Sequence, residues 1–283
     1  MIIMKIWGGL GNQLFQYALG RKLSLAKNIE LKLDTSQYRT DTRRHYDIHR
    51  FNIAGSLSNR IELAKFKFFN VFDSSKPYYK RHVVQEQGFF FDPNIFNVSN
   101  NSYIQGYWQS EKYFKDIENI IRKDITLKEP QDQKYLDILY KIRNSNSVSL
   151  HVRRADYLSA RNTKIFAKCS PDYYKQAVEI IANRVGEPKL FIFSDEIDWV
   201  KKNLSFPFQV EYVSANKYFA DYDCQELTLM SACKHNVTAN SSFSWWGAWL
   251  NSNLQKIVVI PDKWVVDTKR EAKDVVPDSW IRL

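Results

Sequence analysis

The chain has 283 residues, 44% of them hydrophobic and 25% charged, with a formal net charge of +10. This is enough chain for one large domain or two ordinary ones, of a composition usual for soluble globular proteins. No apolar run approaches the roughly 20 residues that span a bilayer, and three cysteines (Cys169, Cys224, Cys233) are too few and too irregular for a disulfide framework or a zinc site.

The opening "MIIMKI" is too short for a signal peptide, so a reducing cytoplasm is the expected setting. Ile2–Trp7 reads as a buried strand. Asn12–Lys27 carries apolar residues at 14, 15, 18, 19, 23, 25 and 26, close to helical spacing. Ile29–Leu33 alternates and reads as a second strand. Together these form a β-α-β unit of about 30 residues, the length of a parallel crossover. A glycine turn, Gly8, Gly9 and Gly11, joins strand to helix.

Residues 38–100 are basic, aromatic and poorly periodic, and no element is assigned there. Between Arg39 and His82 stand ten Lys/Arg and four Asp/Glu. Such a patch suits a polyanion or an anionic membrane face, and a merely solvated surface reads the same way. Tyr103–Trp108 is predicted as a strand and Glu111–Arg122 as a helix. The polar, proline-bearing stretch 124–132 is the best linker, which divides the chain into domains 1–130 and 131–283.

The second half alternates regularly. Strands are predicted at Ser147–Val152, Lys189–Phe193, Gln209–Val213, Asn236–Ala239 and 256–260. Helices are predicted from Ser170-Pro171, from about Asp195, over Asp223–Cys233 and through Trp249. Alternation of this kind argues for an α/β fold whose parallel sheet is covered on both faces. Ligands of such sheets bind at the C-terminal ends of the strands, so the strand ends are where chemistry is expected.

Four strand-end sequences stand out. The first is the glycine turn, which lacks the third glycine of a dinucleotide loop because Leu14 holds that position. A dehydrogenase is thereby disfavoured. The second is "HVRRADY", in which Arg153 and Arg154 offer planar donor forks for phosphate oxygens. His151 and Asp156 flank them as groups that titrate or orient. The third is "FSDEIDW", where Asp195 either caps the next helix or accepts hydrogen bonds from a base or ribose. The fourth is "ANSSFSWWGAWL", where Asn240, Ser241 and Ser242 open a helix. A helix N-terminus is an anion site, and the three tryptophans behind it suit a core.

Taken jointly and in this order, "GGLGNQLFQYALGR", "HVRRADY", "FSDEIDW" and "NSSFSWWGAWL" resemble the motifs of the inverting α-1,2-fucosyltransferases, glycosyltransferase family 11. The motifs run from residue 8 to residue 250. The resemblance implies a GT-B-like fold, two Rossmann-like domains whose parallel sheets face each other across a cleft. It implies GDP-fucose as donor, the 2-hydroxyl of a terminal galactose as acceptor, and no required metal or other cofactor. Arg153, supported by Arg154, would bind the donor pyrophosphate. Asn240, Ser241, Ser242 and Phe243 would line the phosphate pocket, and Ser194 and Asp195 the guanine or ribose side. Gly8, Gly9, Gly11, Asn12 and Gln13 would face the sugar from the first domain.

Asp156 and His151 are the candidate general bases, with late proton loss to the departing phosphate or Asn12 as an alternative. One rival is a metal-dependent transferase using Asp221 and Asp223, although Asp223 reads better as an N-cap with Glu226 three residues on. Another is a nucleic-acid binder using the basic stretch, which leaves the strand-end arginines unexplained. Partners other than substrates are therefore expected to be an anionic membrane surface and not nucleic acid.

Overall fold

The computed structural model describes residues 1–129, 131–154, 169–213, 222–265 and 274–283. They form two compact units. One holds Met1–Lys128 and a short return segment at 274–275; the other holds the remaining described residues from Glu129 onward.

The first unit runs β1 (Ile2–Lys5), α1 (Leu10–Lys27), β2 (Leu31–Asp34), β3 (Ser56–Leu57), α2 (Arg60–Asn70), β4 (Val83–Gln85), β5 (Ser102–Gln105) and α3 (Glu118–Asp124). Its sheet is ordered β3-β2-β1-β5-β4, and every pairing is parallel. α1 begins two residues before the apolar pattern does, because Gly9, in extended backbone, serves as its N-cap. It ends at Asn28, whose left-handed φ of 51° lets its N–H reach the carbonyls of Ser24 and Leu25.

The unassigned stretch 38–100 contains several 3-10 turns and one true helix, α2. A capping box opens α2: Asn59 accepts from the Glu62 N–H, and the Glu62 carboxylate accepts from the Asn59 N–H. The periodicity did not show it because α2 is apolar on both sides: Phe66 is buried, whereas Ile61 and Phe68 are exposed. The predicted strand 103–108 stops at Gln105. The predicted helix 111–122 is two 3-10 turns, Glu111–Tyr113 and Lys115–Ile117, followed by α3.

The second unit runs α4 (Gln133–Arg143), β6 (Ser147–Val152), α5 (Pro171–Val185), β7 (Lys189–Ser194), α6 (Ile197–Asn203), β8 (Val210–Val213), α7 (Tyr222–Ala232), β9 (His235–Val237), α8 (Ser242–Leu250), β10 (Val258–Ile260) and β11 (Ile281–Arg282). Its sheet is ordered β11-β10-β9-β6-β7-β8, again all parallel. All six residues of the central strand β6 are buried, as a strand covered on both faces requires. Val148, Leu150 and Val152 pack with Tyr174, Val178 and Ile181 of α5 and with Leu190 and Ile192 of β7. Trp245, Trp246 and Trp249 of α8 are buried with Trp280 against Trp245, as the sequence led us to expect. α4 and β11 were not anticipated. α4 leaves Leu136 and Tyr140 exposed, which blurs its pattern.

Candidate active site

Strand register assembles the first group of candidates. β6 lies between β9 and β7, with His151 opposite Phe193 and Val152 opposite Ser194. The chain leaving β6 carries Arg153 and Arg154, the chain leaving β7 carries Asp195 and Glu196, and the chain leaving β9 leads into α8. Three of the four motifs therefore emerge at the C-terminal ends of adjacent strands.

At this edge a guanidinium nitrogen of Arg153 lies 3.1 Å from the Asp195 carboxylate. The other Asp195 oxygen accepts from the Arg154 backbone N–H at 3.0 Å. Asp195 does not cap α6, contrary to one expectation. The N-cap is Glu196, with no side-chain cap bond, and the Asp195 carboxylate is committed to the arginine loop instead. Arg154 donates from Nε to Glu196 at 3.0 Å and lies over the Trp199 ring at 3.6 Å. Ser194 is buried, and its hydroxyl accepts from the Glu196 N–H at 3.0 Å. One side of the edge is thus a small lattice that fixes both arginines.

α8 forms the other side. Ser241 is its N-cap and its hydroxyl accepts from the Phe243 N–H at 3.3 Å. The first turn of α8 itself carries no acidic residue to offset the positive end of the helix dipole. Asn240 is buried and donates to the Trp264 carbonyl at 3.2 Å. Ser242 is half-buried beside it. The Phe243 ring packs on His151 with centroids 5.5 Å apart, tying α8 to the end of β6.

His151 is not the titrating group the sequence suggested. It is fully enclosed, and burial, then the neighbouring Arg153 charge, push its pKa down to about 3. It is neutral and a poor base near neutral pH. Its Nδ1 has no hydrogen-bond partner among the described residues. Asp156, the other base candidate, lies outside the described residues, as does Asp221. Asp223 falls within the first turn of α7, not at its N-cap. Among the described residues no three His, Cys, Asp or Glu side chains cluster as metal ligands do.

The glycine turn belongs to the first unit, at the C-terminal end of β1. Gly8 has φ of +80°, which a side chain would strain, and a Cβ there would stand 2.9 Å from the Asn12 amide. Its carbonyl accepts from the Tyr38 hydroxyl at 2.8 Å and the Gln13 amide at 3.1 Å. The Arg44 guanidinium lies alongside Gly9. Gly11 is buried in α1, and Asn12, half-buried, accepts from Gln109 at 2.8 Å. Gln13 is not presented outward as expected. It is fully buried, donating to Gly8 and His45 carbonyls and accepting from the N–H groups of Asp47 and Ile48.

Several residues at this second edge escaped the sequence reading. Gln16, buried one helical turn after Gln13, accepts from the Trp7 N–H and donates to the Gly106 carbonyl. The Trp7 and Tyr107 rings stack at 4.5 Å. The Glu86 carboxylate accepts from the N–H groups of Tyr107 and Trp108 at 2.6 and 2.8 Å. A Cβ on Gly106 would stand 2.4 Å from the Glu86 Cβ, so only glycine lets the two segments approach. Two amides spaced i, i+3 behind a glycine turn are the one sequence signal that could have pointed to these pins.

Comparison with known proteins agrees with this arrangement. The model of the family described as Glycosyl transferase family 11 matches residues 48–283. The alpha-1,2-colitosyltransferase of Escherichia coli is 31% identical over 100% of this chain and 99% of its own. The E. coli O-antigen biosynthesis glycosyltransferase WbnK is 33% identical over 98% of each chain. Human galactoside alpha-(1,2)-fucosyltransferase 1 is 23% identical over 52% of this chain and 42% of its own. Among solved structures, the NodZ alpha-1,6-fucosyltransferase soaked with GDP-fucose shares the fold with a TM-score of 0.52, at 14% identity over 88% of this chain and 91% of that one. The fold is thus of the GT-B type seen in fucosyltransferases, and the chain belongs to glycosyltransferase family 11.

Proposed function

We propose that the protein transfers L-fucose from GDP-fucose to the 2-hydroxyl of a terminal galactose, with inversion, during assembly of an O-antigen or another surface glycan. The acceptor oxygen attacks the sugar's anomeric carbon as the bond to the diphosphate breaks. GDP leaves with the electron pair, and the acceptor proton passes to a base or to the departing phosphate. Negative charge grows on the diphosphate, so cationic groups must be in place before the bond breaks.

One observation carries this reading. Arg153, which leaves β6 and is fixed by Asp195, and the N-terminus of α8, whose first turn carries no acidic residue, emerge at the same edge of one parallel sheet. Together they suit a diphosphate without a metal ion, and we propose that none is required. Asp156 is the base we propose, since burial removes His151 from that role. Asn12 and the turn that bears it are proposed to serve the sugar side. The likeness to the solved fucosyltransferase supports the fold, and the family membership supports the reaction class.

A second donor has its own support, because a relative aligned over the whole chain is named a colitosyltransferase. Incubating the protein in EDTA with GDP-fucose or GDP-colitose and a panel of β-galactosides, followed by linkage analysis, separates the two. Preference for GDP-colitose would replace the donor proposed here. Activity that requires added metal would remove the metal-independent mechanism. Among the described residues no helix is long and apolar enough to cross a membrane. We propose a cytoplasmic enzyme in peripheral contact with an anionic membrane.

A further inference from the structure

α2 has a buried face and an exposed face, and both are apolar. On the buried face Phe66 packs on Ile3 and Tyr103, with Leu63 beside them. The helix is held firmly in place. Besides the capping box, Lys32 pairs with Glu62, and the Asn70 side chain accepts from the Val83 N–H at 3.3 Å. Just beyond the helix, the buried Asp73 carboxylate pairs with Lys76 and His82.

The exposed face carries Ile61, Phe68 and Phe72 at positions i, i+7 and i+11, with relative exposures of 70%, 64% and 68%. Val71 and Phe69 flank them at 73% and 46%. The Phe68 ring meets Phe69 and Phe72 edge-on, at 5.5 and 5.9 Å. Single exposed apolar residues are ordinary, but a contiguous ridge of aromatic rings marks an interaction site.

Charge around the ridge selects the partner. Arg60 and Lys65 of the same helix are exposed beside it. The only acids in α2 and the turn after it, Glu62 and Asp73, are paired with Lys32 and Lys76. The ridge therefore presents rings within a positive field. A second copy docked on it about a two-fold axis would bring like cations together. An anionic bilayer instead offers phosphates to the cations and an acyl boundary to the rings, the usual arrangement of an interfacial helix.

We propose that the exposed face of α2 and the turn to Phe72 form the surface by which this enzyme docks on anionic lipid. The inference rests on the membrane contact in the function proposed above and names the residues that make it. The rings enter the headgroup boundary, and Arg60 and Lys65 hold the lipid phosphates.

The test is sedimentation of the full chain with vesicles, in the absence of donor and acceptor. Vesicles of phosphatidylcholine alone are compared with equal mixtures of phosphatidylcholine and phosphatidylglycerol. Binding to the mixed vesicles is expected to exceed binding to the neutral ones about tenfold or more. A Phe68→Ser/Phe72→Ser variant should lose most of it, and Arg60→Glu/Lys65→Glu should lose the preference for anionic lipid. Both variants should keep the wild-type melting temperature within a few degrees, since the altered side chains are exposed. No binding, or binding that the ring variant leaves unchanged, overturns the proposal. A dimer that the ring variant dissolves, or retention on RNA without vesicle binding, overturns it in favour of another partner. The assay contains no sugar nucleotide, so its failure leaves the transfer reading standing. A chain that binds vesicles but transfers no sugar would defeat only the transfer reading.

Discussion

Asp195 holds Arg153 through its side chain, at 3.1 Å, and the next residue, Arg154, through its backbone N–H, at 3.0 Å. One carboxylate thus sets both the charge and the loop that carries it. In the proposed reaction the donor diphosphate would meet a guanidinium already oriented, which is the condition for electrostatic stabilisation without reorganisation.

Replacing Arg153 with Ala should lower kcat by roughly 10²- to 10³-fold, the usual loss of one such donor. Arg153→Lys should recover little, because the planar fork is lost while the charge remains. Steady-state kinetics with saturating donor decides the matter. Turnover of Arg153→Ala within a few-fold of wild type would remove Arg153 from the reaction.

Arg154 sits differently, over the Trp199 ring and bonded to Glu196. A contact of this kind is worth about 0.5–2 kcal/mol. Trp199→Ala should therefore raise the KM for donor by about three- to tenfold and leave kcat nearly unchanged. An equal fall in kcat would instead show that Arg154 acts in the transition state.

His151, neutral through burial, should contribute nothing to the pH–rate profile. The kcat/KM profile of His151→Phe should keep the wild-type shape, even if stability falls by roughly 1–3 kcal/mol. Loss of an ionisation near neutral pH in that variant would restore His151 as the base.

Glu86 supplies a pH dependence of stability. Burial, set against hydrogen bonds from the N–H groups of Tyr107 and Trp108, raises its pKa to about 7. The unfolded chain releases this proton near pH 4.5, the folded chain only near 7. The group's contribution is complete below the lower value and fades as pH rises to the upper one. The loss amounts to about 3 kcal/mol at most. Thermal melts from pH 5 to 8 should show a decline that Glu86→Gln reduces. Parallel curves for the two proteins would refute the assignment.

Gln13 makes four hydrogen bonds from a fully buried amide. Gln13→Ala should cost about 2–4 kcal/mol, chiefly through the backbone groups left unpaired. Denaturant unfolding at equilibrium measures it. A change below about 0.5 kcal/mol would show that water replaces the side chain at no penalty.

Much of the fold was legible in the sequence. β6 matches its predicted bounds, Ser170 caps α5 with Pro171 at its first position, and Ser241 caps α8. Each is a local signal: a continuous apolar run, or a hydroxyl before a helix. α2 was illegible because exposed Ile61, Phe68 and Phe69 among its charged residues break the contrast between its faces. The arginine motif stood out in the sequence, but its geometry did not. Asp195 follows its strand as a cap would, and only its position opposite Arg153, at the end of the neighbouring strand, reveals its other partner. The same holds for His151, which burial keeps neutral and whose ring packs against Phe243, 92 positions away. Gln13 and Gln16 looked like polar helix residues, and their partners lie up to 90 positions distant.

The return segment at 274–275 has a consequence for dissection. Asp274 accepts from the Phe91 N–H at 2.9 Å and pairs with Lys112 at 2.5 Å, so the first unit is completed by residues far down the chain. A gene truncated after Lys128 yields a fragment missing a piece of its own interior, not an autonomous half. A protease nick near residue 129 likewise leaves the two pieces stitched by a second passage of backbone. Exchanging halves between family members at that junction must therefore carry the 274–275 segment with the first half, or the chimaera inherits a mismatched seam.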